Sequence, residues 1–460
     1  MVEPQPPENA LESRAEPPRI VDHLISDCLA FLIPCFMFLE VDLVGRLFVP
    51  EVILAFILPV LLLNRGKMLA APQAKRIIIL GLLWLFSQIV TDIIRESPFE
   101  DYSRGWSKIA FLLCNFASIY LLLGINRRRI LLFAVGWTIG EILTFFFDPG
   151  LYAADQPWKF GLAIPVTQLV VLLSMTKVFA RTKFVPSALL VVMAWVHLTA
   201  NARSLAGICF ITAIYLLVQQ VLTRKSVRAR PPGLRTSIGV FVVLAISGVI
   251  LSYTYGDLAS SGSLGAFAQT KYENQSGGEF GILIGGRPET IVAVQAILDS
   301  PIIGHGSWAK DKHYIDLLRN LQQFGYKDRT YGDLASAYEL NLIPTHSHLL
   351  GAWVEAGVVG AIFWVAVLWL VYSAIARLCF VREPLTPLIA FFGISIFWDI
   401  LFSPFGADRR VSVSYVIVMF IYAHAAIKLQ EVRNPTPRDV QPKQGLPPDA
   451  VYAPAQITTV

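Results

Sequence analysis

Charged residues are scarce in this sequence: they make up 15% of its 460 residues, whereas apolar residues make up 55%. A soluble domain usually carries about 25% charged residues, so much of this surface cannot face water. The net charge of +5 is small and fits basic loops beside anionic lipid better than a nucleic-acid surface. The composition therefore predicts a protein of the lipid bilayer that binds no nucleic acid.

Paired cysteines and familiar catalytic motifs are also missing. The five cysteines stand singly in apolar runs, so we expect neither disulfides nor metal thiolates. The sequence has no Walker-type lysine loop, no HExxH helix and no GxSxG nucleophile turn. His305 and His313 have no cysteine or carboxylate cluster at metal-ligand spacing beside them. We expect no catalytic metal and no cofactor.

Long apolar runs dominate the chain instead. A helix needs roughly 20 apolar residues to cross the hydrocarbon core, with about 17 as a lower limit. Candidate runs lie near residues 24–39, 47–63, 77–94, 106–124, 130–147, 158–179, 184–200, 205–222, 236–253, 350–372, 385–402 and 412–428. The sequence thus predicts an all-α, polytopic membrane helix bundle of about 12 transmembrane helices, nine within residues 23–253 and three within residues 346–428.

Basic residues recur in alternate connections between these runs, for example at 65–76, 127–129 and 224–235. Because basic connections stay in the cytoplasm, residues 1–22 and 429–460 are both predicted to be cytoplasmic tails, the second one disordered. The N-terminal segment leads into the first apolar run without a small-residue cleavage site, so we expect no cleaved signal peptide. The predicted location is the bacterial inner membrane.

A polar insert, residues 254–345, interrupts the pattern and by parity lies on the periplasmic side. An insert of this length is usually functional. Two helices are predicted in it. One begins at Pro288-Glu289, because proline followed by an acidic residue marks a helix start, and the other, over 311–324, is amphipathic and lies on the bundle or at the interface.

Four residues near the outer face are candidates for chemistry. Arg203 is either a snorkelling arginine at the interface or an anion ligand. Arg287, at the predicted helix start, is either a solvated loop charge or part of a phosphate site, because a guanidinium binds phosphate in a bidentate manner. His346, where the insert re-enters the membrane, can transfer a proton or hold a substrate. His348 is two residues further on and points elsewhere on a helix.

Four further ionisable residues each allow two interpretations. Arg409 and Arg410 lie in the last outer connection, where they either attract an anionic substrate or pair with Asp408. Asp92 and Glu141 lie within or beside apolar runs. Such groups either serve function or pair with a neighbour.

The stretch from His346 to Gly360 resembles the signature of the O-antigen ligase and polymerase family. In that family a His-Asn pair ends the periplasmic loop, and a leucine, a glutamate and two glycines follow. The matching residues here are Leu350, Glu355, Gly357 and Gly360. Ser347 replaces the usual asparagine and lacks its amide. Other similar segments are Ala202-Arg203-Ser204, Gly286-Arg287 and Ser300-Pro301-Ile-Ile-Gly304-His-Gly306.

The resemblance implies a membrane glycosyltransferase of the C-type (GT-C) fold, whose donor is a glycan on an undecaprenyl diphosphate carrier. Arg203 and Arg287 would hold the diphosphate and stabilise its departing charge. His346 would lie beside donor and acceptor, as a general base or as a positioning group. A polymerase would extend another carrier-linked glycan, which is the preferred interpretation, whereas a ligase would use lipid A–core as the acceptor.

Two other classes stay open. A secondary transporter or lipid-linked glycan flippase also has roughly twelve helices. Transporters tend to show paired repeats with broken helices in both halves, whereas this chain has one late insert. A receptor-like scaffold fits the composition but leaves the outer arginines and the histidine without a role.

Overall fold

The computed structural model describes residues 20–43, 45–179, 182–225, 234–276, 287–323 and 341–433. Most of this part of the chain is helical. The helices are α1 (Ile20–Cys35), α2 (Val49–Arg65), α3 (Pro72–Ile94), α4 (Phe99–Leu123), α5 (Arg127–Phe147), α6 (Gly150–Asp155), α7 (Ala163–Ser174), α8 (Val185–Thr199), α9 (Arg203–Lys225), α10 (Leu234–Ser260), α11 (Ala266–Ser276), α12 (Glu289–Asp299), α13 (Lys312–Gln323), α14 (His348–Leu378), α15 (Thr386–Phe402) and α16 (Arg410–Arg433). Strands β1 (Glu40–Leu43) and β2 (Gly45–Phe48) pair antiparallel between α1 and α2.

Within the described ranges, nine helices are long and apolar enough to cross a membrane. Three shorter apolar helices accompany them, at His23–Phe38, Val185–Thr199 and Thr386–Phe402. Each predicted apolar run coincides with one of these helices. Large apolar side chains such as Phe56 and Leu63 are 79% and 88% exposed, as expected where lipid surrounds the bundle. The structure is a helical bundle compatible with a multi-pass membrane protein.

The core lies around α16, which packs against α4, α14 and α15. The Tyr415 hydroxyl donates to the Ile130 carbonyl on α5 at 2.9 Å. The Ser414 hydroxyl donates to the Leu112 carbonyl on α4 at 3.1 Å. Such hydrogen bonds between helices let polar side chains stay inside an apolar bundle.

The polar insert packs onto one end of the bundle, where α3 ends and α14 begins. Both predicted helices of the insert are confirmed: α12 begins directly after Pro288, and α13 covers most of the predicted amphipathic run. Val292 and Leu318, one from each helix, are fully buried and belong to one apolar cluster with Val354 of α14. This cluster attaches the insert to the start of α14.

Several helices continue past the predicted ends of their apolar runs. Helices α10, α14 and α16 extend to Ser260, Leu378 and Arg433, whereas the runs end at 253, 372 and 428. Hydropathy locates only the apolar part of a helix, and backbone hydrogen bonds continue into polar residues. The predicted tails fall mainly on residues 1–19 and 434–460, which lie outside the described residues, as do 277–286 and 324–340 of the insert.

Tyr314 joins helices α12 and α13 of the insert. Its hydroxyl donates to the Asp299 carboxylate at 2.7 Å, and this bond holds the pKa of Asp299 below its usual value. A carboxyl with a depressed folded-state pKa stabilises the fold above its unfolded pKa, and that contribution is lost as the pH falls through the folded value. We expect Tyr314→Phe to lower the free energy of unfolding by about 1 kcal/mol at pH 7 and by less below the range in which Asp299 ionises.

Thermal unfolding of the wild type and Tyr314→Phe at neutral and acidic pH measures this difference. Phenylalanine keeps the ring, so an equal loss of stability at both pH values would contradict the assigned role of the hydrogen bond.

Candidate functional site

Helix α14 is broken at Gly357, and the insert docks on the break. Gly357 has φ 67° and ψ −165°, a conformation that glycine adopts at little cost. Backbone N–H groups of His305 and Gly306 donate at 2.7 and 3.0 Å to carbonyls of α14 just before the break. A Cβ on Gly357 would lie 1.8 Å from the Ile302 carbonyl oxygen. Two motifs that the sequence keeps far apart, at 300–306 and 346–360, therefore meet backbone to backbone.

Asp92, near the end of α3, holds the same segment from the other side. Its carboxylate is 3% exposed and accepts from the backbone N–H and the hydroxyl of Ser307 at 2.6 and 2.7 Å. The Ser97 hydroxyl and the Trp106 indole N–H each donate to it at 2.8 Å. Of the two readings of Asp92, the geometry favours the paired, structural one.

The last turn of α15 gathers three of the candidate residues. Arg287 donates to the Phe402 carbonyl, and its guanidinium carbon lies 5.7 Å from the centroids of the Trp398 and Phe402 rings. His348 Nδ1 lies 2.6 Å from the Ser403 carbonyl oxygen. Unsatisfied carbonyls and the negative end of the dipole favour cations at a helix C-terminus.

Arg409 is the third of these residues. Its guanidinium lies 3.2 Å from the Asp399 carboxylate of α15 and 3.3 Å from that of Asp408. Of the two readings for this arginine, the described contacts favour pairing with Asp408, and Asp399 is an additional partner.

Ser347, which stands where the family resemblance leads us to expect asparagine, caps α14. Its hydroxyl oxygen accepts from the Leu350 N–H at 3.0 Å, and its O–H group donates to the Ile400 carbonyl at 2.8 Å. Serine is a favourable N-cap residue. The substitution therefore preserves the helix start and ties it to α15, although the amide is lost.

A cavity of about 70 Å³ lies beside this turn. It is lined by Trp84, Lys108, Thr345, Ser347, His348, Gly351, Ala352, Glu355, Pro404 and Phe405. Lys108 of α4 and Glu355 of α14, which both line it, form an ion pair of 2.5 Å, and both side chains are less than one-fifth exposed. Trp84, which lines the cavity, belongs to α3, and α3 ends at Ile94. At a rise of 1.5 Å per residue, this part of the wall lies about 15 Å from the end of the helix.

His348 itself is 1% exposed. A carbonyl oxygen only accepts hydrogen bonds, so the contact with Ser403 places the hydrogen of a neutral imidazole on Nδ1 and the lone pair on Nε2. Neither His348 Nε2 nor the Trp84 indole N–H has a hydrogen-bond partner among the described residues. The rings of Trp364 and Phe405 pack against the imidazole, with centroids at 4.8 and 5.2 Å.

The described contacts of Arg203 and Arg410 involve other residues. Arg203 donates to the Tyr255 hydroxyl at 3.2 Å and lies over its ring. Arg410 is buried and pairs with Glu51 at 2.5 Å, so it does not pair with Asp408 as one reading proposed. His346 is half-buried, two residues before α14 begins. In the part of the chain that the structure describes, no group of three or more His, Cys, Asp or Glu side chains could hold a metal ion.

Sequence reasoning missed Lys108, and Glu355 entered it only through the resemblance. A signal was available, because both are charged residues within apolar runs, where such groups usually face a partner or a cavity. Trp84 leaves no comparable signal, since a tryptophan in an apolar run is ordinary.

The fold and the site can also be compared with those of known proteins. No protein-family model matches the chain, and neither a curated protein nor a solved structure does so. The function of the site is therefore inferred from the chemistry of its own residues and from the motif resemblance.

Proposed function

We propose that the protein is a membrane glycosyltransferase that transfers or polymerises oligosaccharide repeat units carried on undecaprenyl diphosphate. The observation that carries this proposal is the position of the Arg287 guanidinium on the last turn of α15, next to the carbonyl that His348 contacts and beside a polar cavity. A cationic group at one end of an apolar bundle suits a substrate with a long apolar tail and an anionic head. The polyprenyl chain would enter from the lipid and leave the diphosphate near this group.

The chemistry requires little beyond placement of charge. As the glycosidic bond breaks, positive charge develops on the sugar carbon and negative charge on the departing diphosphate. Arginines aimed at the leaving group stabilise that transition state. We assign Arg203 and Arg287 to the diphosphate. His346 is assigned to the acceptor, as a general base or a positioning group.

Arg287 is positioned before the substrate arrives. The Phe402 carbonyl at the end of α15 accepts from its guanidinium, and the Trp398 and Phe402 ring centroids lie 5.7 Å from the guanidinium carbon. A guanidinium carries five N–H donors in a fixed geometry, and fixing it in advance reduces the reorganisation that catalysis needs.

The proposal includes twelve membrane crossings, both termini in the cytoplasm and a site on the periplasmic face of the bacterial inner membrane. Two features support this topology. Basic residues recur in alternate connections, as the positive-inside rule requires. The insert, the end of α3, the start of α14 and the end of α15 lie at one end of the bundle, which by parity is the outer end.

Polymerisation of an O-antigen or exopolysaccharide is the preferred reading, and ligation to lipid A–core is its alternative. A flippase or secondary transporter is the alternative from another class, because a helix broken within the membrane is typical of transporters. Here, however, backbone N–H groups of the insert occupy the carbonyls at the break. These hydrogen bonds make the break a docking point for the insert, so its carbonyls are not free to coordinate a transported ion. This favours the transferase.

Reconstitution into proteoliposomes tests the proposal. Wild type, His346→Ala, Arg287→Ala and Arg319→Ala receive an undecaprenyl-diphosphate-linked glycan and candidate acceptors, with a chelator present. We expect the wild type to release the carrier diphosphate and extend or transfer the glycan. His346→Ala and Arg287→Ala should be slower by about 100-fold or more, the scale of removing one transition-state donor. Arg319, an exposed arginine of the insert, is the matched control.

Two outcomes would contradict these assignments. If the glycan stays intact with every acceptor and yet crosses the bilayer, the protein is a flippase. If Arg287→Ala retains full activity, Arg287 does not belong to the site.

A further inference from the structure

A cleft opens at the end of the bundle opposite to the insert, where α9 and α14 end and α8 and α15 begin. Its volume is about 290 Å³. Because one water needs roughly 10–15 Å³ on the same measure, the cleft has room for roughly 20 non-hydrogen atoms. Among the described residues that line it, none is a candidate for the transferase site. The proposed topology makes this the cytoplasmic end of the protein.

Two basic side chains line the cleft, and neither forms an ion pair with a described carboxylate. Lys183, just before α8, and Arg382, just before α15, are both exposed. Arg382 donates from Nη2 to the Thr223 carbonyl at 3.3 Å. A guanidinium has five N–H donors and an ammonium has three. Most of the donors of these two groups are therefore available to a ligand.

One carboxylate also lines the cleft, that of Glu383. Its Oε1 accepts from the Tyr422 hydroxyl of α16 at 2.9 Å, so one of its oxygens already has a donor. Two helices begin beside the cleft, α8 at Val185 and α15 at Thr386. The free N–H groups and the dipole at a helix N-terminus favour an anion. The two basic side chains and the two helix starts outweigh the single carboxylate, so the cleft suits an anion.

The depth of the cleft is apolar or already hydrogen-bonded. Leu216 is 2% exposed. Gln219 is also buried, and its amide donates to the Leu378 and Val381 carbonyls at 3.1 and 3.0 Å. Exposed cations over a buried apolar wall fit an amphiphile better than a hydrated inorganic ion, which would gain nothing from that wall.

We propose that this cleft binds the phosphate of a membrane phospholipid such as phosphatidylglycerol, and that Lys183 and Arg382 are its ligands. Basic clefts between transmembrane helices on the cytoplasmic side bind lipid head groups, and a guanidinium binds phosphate in a bidentate manner. The acyl chains would lie along apolar side chains of the bundle. The bound lipid would join the ends of α9 and α14 to the starts of α8 and α15. No step of the proposed transfer reaction is needed for this binding.

Native mass spectrometry of the full chain in detergent measures the binding of dioleoylphosphatidylglycerol. The test variant is Lys183→Ala/Arg382→Ala. Its matched control is Lys67→Ala/Arg76→Ala, which also removes one exposed lysine and one exposed arginine at this end of the bundle, neither of which lines the cleft. We expect the dissociation constant to rise about tenfold or more in the test variant and to stay within about threefold of the wild-type value in the control.

Thermal unfolding in detergent identifies the source of the phosphate, because a ligand of the folded state raises the unfolding temperature. Dioleoylphosphatidylglycerol should raise it in the wild type and in the control, and not in Lys183→Ala/Arg382→Ala. Dioleoylglycerol lacks the phosphate, and inorganic phosphate lacks the acyl chains. Neither should produce a rise that depends on Lys183 and Arg382.

Three outcomes would overturn the proposal. Equal loss of phosphatidylglycerol binding in the test variant and the control, or no loss in either, would mean that the cleft is not the site. Binding of dioleoylglycerol as tight as that of phosphatidylglycerol would mean that the phosphate is not recognised. A rise in unfolding temperature with inorganic phosphate that requires both residues would make the ligand a soluble phosphate. Neither measurement involves glycan transfer, so their results and those of the transfer assay are independent.

Discussion

Arg410→Met is expected to lower the free energy of unfolding by about 3–5 kcal/mol, the usual cost of removing one partner of a buried ion pair. Arg410 and Glu51 are 5% and 0% exposed, and their charged groups lie 2.5 Å apart. Glu51 also accepts from the Asn115 amide at 2.9 Å and from the Phe48 backbone N–H at 3.1 Å. Methionine would fill the volume but leave a buried carboxylate without its counter-charge.

A double-mutant cycle tests this explanation by thermal unfolding in detergent. Glu51→Gln removes the negative charge, so the double variant Glu51→Gln/Arg410→Met should be more stable than Arg410→Met alone. Arg46→Met is the matched control, because Arg46 pairs with Glu40 at the surface, where its side chain is 59% exposed. Arg46→Met should lower the free energy of unfolding by at most about 1 kcal/mol. If the losses of stability in Glu51→Gln and Arg410→Met simply add in the double variant, the two residues do not interact as a pair.

Asp92→Ala is expected to destabilise the protein by about 2–5 kcal/mol, because it leaves the buried N–H groups of Ser307 and Trp106 without an acceptor. The loss should be concentrated in the insert. Asp92 holds Ser307, and the residues just before Ser307 hold the broken turn of α14. Without Asp92, the segment should detach more readily from Gly357, and the geometry at the start of α14 should loosen with it.

Limited trypsin digestion at Lys310 and Lys312, together with thermal unfolding, measures this effect. We expect faster cleavage in Asp92→Ala than in the wild type and an intermediate rate in Asp92→Asn, which keeps one acceptor oxygen. Asp316→Ala is the matched control, since Asp316 lies in the same insert and is about half exposed. Wild-type cleavage rates in Asp92→Ala would show that Asp92 does not hold the insert.

The helices of the bundle could be predicted closely, and so could α12 and α13 of the insert, whereas α11 was not predicted. Apolar runs and helix-start signals are local properties of the chain, so the runs coincide with helices even where their ends differ. The candidate site was predictable only in part. Arg287 and His348 were identified singly, whereas their meeting on the last turn of α15 depends on residues more than 50 positions away.

Arg410 illustrates what could not be predicted from the sequence. An arginine next to Asp408 has an obvious neighbour in sequence, yet its partner is Glu51, 359 positions away. Whether an ionisable residue faces a charge, a cavity or lipid depends on how helices from different parts of the chain pack. The residues next to an ionisable side chain in the sequence do not reveal this packing.

The sequence by itself determined the membrane class, the order of apolar helices and the place of the polar insert, because chain hydropathy and charge decide what can enter a bilayer. Only the tertiary structure decided which polar groups meet: Asp92 with Ser307, Arg410 with Glu51, and the insert with the break at Gly357. The physical reason is that a buried polar group must find a partner, and the packing of helices distant in sequence determines which partner is within reach.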